Sequence, residues 1–270
     1  MIKDITIGQY VPGESFVHKL DPRTKILISI LFIISLFVIN KYFGYVFVLL
    51  FVGISIYISK INLKFIFNGL KPVFVLIVLT AALNIFMIRG SSDTLVFSWK
   101  FIKVYKEGIN VAVFMTLRLI FLIIGTSLLT LTTSPIELTD EIEYLLKPFK
   151  KIGVPAHELA MMMTIALRFI PTLIDETDKI MKAQQARGAD FESGNIIRKA
   201  KSLIPLLVPL FISAFRRADE LAMAMEARCY RGGEGRTRMK KLKYKKRDFI
   251  AYSSIGILLI ISFYVRFGMR

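Results

Sequence analysis

Long apolar segments separated by short basic ones are the feature of this 270-residue chain that most restricts its fold. A helix needs about 20 mostly apolar residues to cross about 30 Å of hydrocarbon. Five segments meet or nearly meet that requirement: roughly 25–40, 42–58, 72–88, 109–131 and 249–267. The first helix has a clear start, because Asp21 can cap it and Pro22 suits the first helical position. The chain is 54% hydrophobic yet carries a net charge of +17, so apolar and basic residues are segregated along it. The sequence therefore predicts an all-α polytopic membrane protein with about five transmembrane helices.

Basic residues near the ends of the predicted spans indicate the orientation of the chain. Lys and Arg concentrate in the cytoplasmic loops of membrane proteins. Here most of them lie before the first span, between the second and third spans, and in 132–248. We therefore expect a cytoplasmic N-terminus and, because five is odd, an external C-terminus. The predicted domains are an N-terminal segment with four spans (1–131), a cytoplasmic helical module (132–248) and a last span (249–270).

Start and stop signals within the module predict three helices. Ser134-Pro135-Ile136-Glu137 is a capping box with proline at the first helical position, so a short helix should run from there to about Lys147. Two long helices should follow, over 155–187 with a bend at Pro171 and over 195–230. At 1.5 Å per residue, each long helix would measure about 50 Å.

Neither long helix is predicted to cross the membrane. The first carries charged side chains such as Arg168, Asp175 and Glu176, which make it a poor span. The second has one continuous apolar run, 203–215, which at about 13 residues is too short for a span. We interpret the two helices as a crossing cytoplasmic pair that lies under or against the bilayer.

The two long helices end in copies of one short motif, Ala186-Arg187-Gly188 and Ala227-Arg228-Cys229. Two helix caps would explain these residues, because the helix dipole favours a cation in the last turn and glycine accepts the left-handed backbone of a helix stop. The repeat suggests docking instead, because the planar fork of arginine matches a carboxylate. Cysteine in place of glycine means either that the two docking sites differ or that the helix end tolerates a thiol.

Methionines are concentrated on the same two helices, at Met161, Met162, Met163, Met223 and Met225. Methionine is unbranched and polarizable, and it repacks against varied surfaces. These side chains either fill gaps in a helix–helix core or form a surface that accepts more than one partner.

Four spans, two long helices that each end in an Ala-Arg motif, and a last span follow one another along the chain. This arrangement resembles the T component, the transmembrane coupling subunit, of energy-coupling factor (ECF) transporters. Two further segments carry the resemblance, His18-Lys19-Leu20-Asp21-Pro22-Arg23-Thr24-Lys25 and Leu131-Thr132-Thr133-Ser134-Pro135. The resemblance covers essentially the whole chain. It implies a subunit of a bacterial or archaeal plasma membrane that links two homologous ATPases to a small membrane protein, the S component, which captures a vitamin or a metal.

The resemblance also implies roles for individual residues. Six of them would couple the chain to the ATPases: Ala186, Arg187, Gly188, Ala227, Arg228 and Cys229. The five methionines would contact the S component. ATP and Mg²⁺ would bind to the partner ATPases, and this chain would bind no cofactor. The substrate would be held by the S component, which leaves open a vitamin module or a T subunit dedicated to cobalt or nickel.

Arg118 lies inside the fourth predicted span, where a charge is costly unless it is paired or faces a cavity. One interpretation is a functional role. The other is a structural hydrogen bond, either to Asn84 of the third span or to backbone carbonyl groups.

The basic run 236–247 directly precedes the last span. Charge alone would permit nucleic-acid binding. A juxtamembrane basic cluster is more typical of contact with anionic lipid headgroups. We therefore expect lipid contact and no nucleic acid.

The sequence lacks the motifs of ATP hydrolysis and of zinc proteases, Gly-x-x-x-x-Gly-Lys-Ser/Thr and His-Glu-x-x-His. We expect no metal site and no catalytic residue in this chain. A membrane enzyme with its site on the cytoplasmic helical pair is a more distant alternative, and it would need converging titratable groups. A stand-alone secondary carrier is a third hypothesis, but carriers repeat their spans, whereas the repeat here lies in the helical module.

Overall fold

The computed structural model describes residues 10–88, 94–99, 102–191, 195, 197, 201–233 and 243–268. The chain forms two compact units. One consists of residues 8–134 and 240–270, and we call it the bundle unit. The other contains residues 135–239, and we call it the tip unit. The predicted division at 131 and 248 stays a prediction, because it concerns the side of the membrane on which each segment lies.

The described part of the bundle unit contains six α-helices and one hairpin. The helices are α1 (Pro22–Val38), α2 (Tyr42–Ser59), α3 (Leu63–Leu70), α4 (Phe74–Met87), α5 (Lys106–Thr132) and α9 (Lys246–Phe267). A 3-10 turn, Lys71–Val73, joins α3 to α4. The hairpin consists of β1 (Leu95–Trp99) and β2 (Ile102–Tyr105), which pair antiparallel. This hairpin was not predicted from the sequence, although its aromatic and β-branched residues favour strands.

Helix α1 begins as its sequence predicts. The carboxylate of Asp21 accepts a hydrogen bond from the backbone N–H of Arg23, and Pro22 occupies the first helical position. These features satisfy one of the N–H groups that have no partner inside the helix. The predicted start of the first helix is confirmed.

Four helices of the bundle unit close into a ring. Helix α1 packs against α5 and α9, and α2 packs against the same two helices. Residues from all four form its core: Phe32, Leu36, Ile39, Tyr45, Val48, Val52, Phe121, Ile255 and Leu258. Gly125 of α5 has a packing role here, because a β-carbon at that position would lie 2.5 Å from the Phe32 ring.

A buried aspartate ties the first helix of the ring to the last. Asp248, 2% exposed, accepts hydrogen bonds from the backbone N–H of Asp21 (2.9 Å) and of Lys245 (2.7 Å). Both donors lie at helix N-termini, where a carboxylate is favoured by the helix dipole. The starts of α1 and α9 are therefore held together.

The described part of the tip unit contains α6 (Pro135–Leu146), a 3-10 turn (Lys147–Ile152), α7 (Ala156–Ala186) and α8 (Ile204–Ala227). The predicted helices over 135–147 and 155–187 match α6 and α7, and Pro171 lies inside α7. The third was predicted to start near Asn195, and residues 196 and 198–200 lie outside the described residues. Helix α8 has Pro205 in its first turn, the position where proline fits best.

Five helices of the described chain are long and apolar enough to span a membrane: Tyr42–Ser59, Leu63–Met87, Lys106–Thr132, Ala156–Ala186 and Lys246–Phe267. Four of them correspond to predicted spans. The predicted span 25–40 is not among them, because α1 has 17 residues.

The fifth candidate span is α7, so the prediction that its charges make it a poor span is corrected. Most of those charges lie in its second half. Between Glu158 and Asp175 the one charged residue is Arg168, which leaves a long apolar stretch in the first half.

Candidate functional site

The first Ala-Arg motif forms a tight stop at the end of α7. Ala186 is the last helical residue and Arg187 is the C-cap. Gly188 has a φ of +88°. Its N–H donates to the carbonyl of Gln185, and the N–H of Ala189 donates to the carbonyl of Gln184, both at 2.9 Å. This pair of bonds defines a Schellman motif, which satisfies carbonyl groups that the helix leaves unpaired.

The second motif ends α8 with the same bonds. The N–H of Cys229 donates to the carbonyl of Glu226 at 2.8 Å, and that of Tyr230 donates to the carbonyl of Met225 at 3.0 Å. Cys229 has a φ of +56°, in the left-handed region that residues with a β-carbon rarely adopt. Of the two explanations for the cysteine, the structure therefore supports the second: the helix end keeps its shape and tolerates the thiol.

All six predicted coupling residues are exposed. The tip arginines occupy equivalent C-cap positions with nearly equal backbone angles, φ −87° and ψ 6° for Arg187 against φ −93° and ψ 13° for Arg228. Neither guanidinium forms an ion pair with another described residue. Each tip thus exposes an arginine guanidinium to solvent, and the backbone conformation at the two C-caps is the same.

Polar contacts between described residues join the two helices. The carboxylate of Glu176 on α7 accepts hydrogen bonds from the Ser213 hydroxyl and from Nη2 of Arg217 (2.9 Å), both on α8. Nearer the tip of α7, Nε2 of Gln184 donates to the carbonyl of Pro205 at the start of α8. Glu176 contacts Arg217, whereas Gln184, farther along α7, contacts Pro205, which lies earlier in α8. The two helices therefore run antiparallel, and their tips lie at opposite ends of the pair.

The contact between Glu176 and Arg217 lies at the same distance from both tips. Arg187 follows Glu176 by eleven residues, and Arg228 follows Arg217 by eleven residues. At 1.5 Å per residue, each tip is about 16 Å from the contact along its own helix. The two motifs are therefore related by an approximate twofold arrangement, with Glu176 and Arg217 at its centre.

Small residues let α7 and α8 approach on one side of this contact. A groove of about 270 Å³ lies between them, and its α8 wall includes Ala214, Ala218 and Ala222. Phe169 and Leu173 line the opposite wall. The groove is apolar because large side chains of α7 face methyl groups of α8.

The five predicted contact methionines fall into two groups. Met161 and Met225 are half-buried, and Met225 lines the groove between the helices. Met162, Met163 and Met223 are exposed, Met223 by 62%. The first two therefore serve packing, and the other three lie on the free surface of the tip unit.

Helix α8 also carries an exposed apolar stripe, which is part of the apolar run 203–215. Its residues recur at spacings of three and four: Ile204, Leu207, Val208, Phe211, Ile212 and Phe215. This periodicity is that of one helix face. Because the run 203–215 is apolar almost throughout, the exposure of the side chains, and not the sequence, identifies this face. We call these six residues the α8 stripe.

Arg118 is held by the end of another helix. Its Nη2 donates to the carbonyl of Ile39 at 3.4 Å, and its guanidinium lies 5.0 Å from the centre of the Phe37 ring. Asn84 donates instead to the carbonyl of Thr80. Ile39 is the C-cap of α1, where carbonyl groups lack helical partners. Of the interpretations left open, the structure favours a structural bond to a backbone carbonyl.

No group of three His, Cys, Asp or Glu side chains lies together as metal ligands would in the described ranges. Nδ1 of His157 on α7 lies 3.1 Å from the carboxylate of Glu143 on α6. The predictions that this chain binds no metal and no cofactor stay predictions.

The family described as CbiQ, cobalt transport protein, matches residues 13–239. Relatives named energy-coupling factor transporter transmembrane protein EcfT match almost end to end. That of Clostridium kluyveri is 70% identical over 97% of both chains. Those of Thermosediminibacter oceani and Bacillus subtilis are 60% and 48% identical, over 98% of this chain and 99% and 100% of theirs. The chain belongs to the EcfT family.

EcfT proteins are transmembrane components of energy-coupling factor transporters by name. Together with its five apolar helices, this makes the chain a multi-pass membrane protein and a transporter subunit. It is not an enzyme, so the hypothesis of a membrane enzyme is rejected. The resemblance seen in the sequence is confirmed at the level of the EcfT family.

Proposed function

We propose that this chain transmits ATP-driven motion from two homologous ATP-binding subunits to a small membrane S component that captures the substrate. The observation that carries the proposal is the pair of tips. Two exposed arginines each lie in a Schellman motif, and the two motifs are at opposite ends of an antiparallel helix pair. Two equal tips suit two homologous partners.

The chemistry of each tip favours a carboxylate partner. A guanidinium offers two parallel N–H donors, which match the two oxygens of an Asp or Glu side chain. The Schellman motif fixes the backbone at each C-cap, so the fork extends from a rigid helix end. The tips are at most roughly 33 Å apart along the pair, the length of two eleven-residue arms. ATP and Mg²⁺ would bind in the partner subunits, and the N-terminus would face the cytoplasm with them.

The S component would dock on the free apolar surface of the tip unit. The α8 stripe and Met162, Met163 and Met223 supply exposed apolar side chains, and methionine adapts to partners of different shape. A surface of this kind supports a shared module for vitamin uptake. A T subunit dedicated to cobalt or nickel is the second candidate, because the matching family is described as a cobalt transport protein.

Substitution of the tip arginines tests the coupling proposal. Arg187→Ala and Arg228→Ala should each weaken co-purification of the two ATPases and substrate uptake into vesicles. Removing one side of a desolvated charge pair typically costs roughly 2–5 kcal/mol, because the partner charge is left unpaired. Arginine-to-lysine variants should rescue poorly, since lysine keeps the charge without the fork.

Matched controls use exposed cations on the same helices. Lys182→Ala on α7 and Arg216→Ala on α8 change the charge equally but lie away from the tips. They should assemble and transport as the unaltered chain does. Full assembly and uptake in the double Arg187→Ala, Arg228→Ala variant would show that the motifs are helix caps only.

A further inference from the structure

A cavity of about 380 Å³ lies inside the ring of four helices in the bundle unit. Its size is within the range of about 300–1,000 Å³ typical of small-ligand sites. Each of the four helices contributes to the wall, through residues such as Ser29, Phe51, Leu128 and Ala251. A cavity with such apolar walls is unfavourable for water, which needs several polar partners. Hydrocarbon is the occupant that suits it.

The cavity opens toward the outer surface of the bundle unit between α2 and α9. Ile54 and Ile58 of α2 and Ile250 and Ser254 of α9 line it and are exposed, Ile250 by 61%. Because α2 and α9 are both candidate membrane spans, hydrocarbon would reach this surface in a bilayer. An acyl chain could therefore enter sideways from the bilayer.

Two exposed cations lie beside the entrance on α9. Lys246, Ile250 and Ser254 follow one another at intervals of four residues, so they share one face of α9. Lys246 and Arg247 are exposed one turn from the entrance. Inside, the cavity wall includes Lys25, whose buried ammonium donates to the carbonyls of His18 and Thr132. This charge pattern selects against cationic occupants and favours an anionic headgroup.

We propose that this cavity binds one anionic phospholipid, with an acyl chain inside the ring and the phosphate against Lys246 and Arg247. Basic pockets between membrane helices on the cytoplasmic side are suited to acidic lipid headgroups. The apolar tail gains from burial beside Phe51 and Leu128, and the headgroup gains from the two cations. The lipid would fill the space between helices that the side chains of the ring leave open.

Native mass spectrometry of the detergent-purified full chain tests this site with phosphatidylglycerol and phosphatidylcholine as probes. The unaltered chain should retain one phosphatidylglycerol. Ser254→Phe, which fills the cavity, should weaken retention at least about tenfold, as expected for loss of a buried apolar contact. Ser253→Phe is the matched control, because Ser253 is exposed on the same helix and lies outside the cavity wall. It should retain the lipid.

The headgroup is tested by the double variant Lys246→Gln, Arg247→Gln. Each cation near an anionic lipid contributes about fivefold in affinity, so phosphatidylglycerol should bind roughly 30-fold more weakly. Retention of phosphatidylcholine should not change. Equal retention of the two lipids by the unaltered chain would overturn the anionic assignment.

Fluorescence quenching in vesicles tests the site without filling it. Trp99 is the one tryptophan of the chain, so Trp99→Phe provides a silent background. Phe51→Trp then places a probe in the cavity wall, and Leu50→Trp places a control on the exposed side of the same helix. Phosphatidylglycerol with brominated chains should quench the first probe more than brominated phosphatidylcholine does, and should quench the second equally. Equal quenching of the first probe by both lipids would refute the site.

Discussion

Replacing Cys229 by glycine should stabilise the end of α8. With a φ of +56°, Cys229 occupies a left-handed backbone that costs a residue with a β-carbon roughly 1–2 kcal/mol and that glycine adopts freely. Glycine also gives the frayed state more freedom, which offsets about 0.4–1 kcal/mol of that gain. The net stabilisation of the closed tip is about 1 kcal/mol. The reverse change at the other tip, Gly188→Ala, should destabilise it by a similar amount.

Hydrogen exchange measures this effect at single bonds. The amide of Tyr230 donates to the carbonyl of Met225, so it exchanges only when the tip opens. A change of about 1 kcal/mol corresponds to about fivefold in the opening equilibrium. Exchange at Tyr230 should slow about fivefold in Cys229→Gly, and exchange at Ala189 should accelerate about fivefold in Gly188→Ala.

A distant glycine provides the control for this experiment. Gly53 lies in α2 with open space around its Cα, so Gly53→Ala should leave both tips unchanged. Unchanged or faster exchange at Tyr230 in Cys229→Gly would refute the conclusion that the cysteine is held in an unfavourable backbone conformation.

Three further predictions concern the bundle unit. Asp248→Ala should lower its stability by roughly 2–4 kcal/mol, because the backbone N–H groups of Asp21 and Lys245 lose their acceptor. Thermal unfolding followed by size-exclusion chromatography checks this, and an unchanged midpoint would contradict it. Arg118→Leu should reduce stability by about 1–3 kcal/mol while uptake per folded molecule is retained, since the guanidinium binds a backbone carbonyl; uptake lost with unchanged stability would instead indicate a functional role. Burial lowers the pKa of His18, so folding favours the neutral ring. The stabilisation from the neutral His18 ring should be complete above pH 6.5 and should decline as the pH falls below that value. Protection factors for hydrogen exchange, which correct for the slower intrinsic exchange at lower pH, should fall in residues 10–20 below pH 6.5 and should not fall in His18→Gln.

Local signals in the sequence predicted the ends of several helices. Asp21-Pro22 marked the start of α1, and the bounds of α7 followed from Pro155 and Gly188. These signals work because helix ends depend on a few neighbouring residues that satisfy unpaired backbone groups. The helix stop at Gly188 and the doubled motif therefore needed no tertiary information.

Other features depend on residues far apart in the chain, and the sequence could not predict them. Asp248 bonds to Asp21 across 227 positions, and Glu176 bonds to Arg217 across 41. The hairpin at 95–105 was missed because its short apolar run lies between longer spans. The sequence left open whether Cys229 changes the end of α8, since cysteine rarely adopts a positive φ. The hydrogen bonds at this helix end, which match those at Gly188, show that the shape is kept.

The contact between Glu176 and Arg217 gives α7 and α8 the mechanics of two levers with a common fulcrum. Each arm, from the contact to the tip arginine, has the same length of about 16 Å. A change of about 10° in the angle between the helices would therefore displace each tip by about 3 Å relative to the fulcrum, in equal amounts at both ends. Unequal arms would move one tip farther than the other for the same rotation. A rotation about this ion pair would therefore produce strokes of equal length at the two ends of the pair.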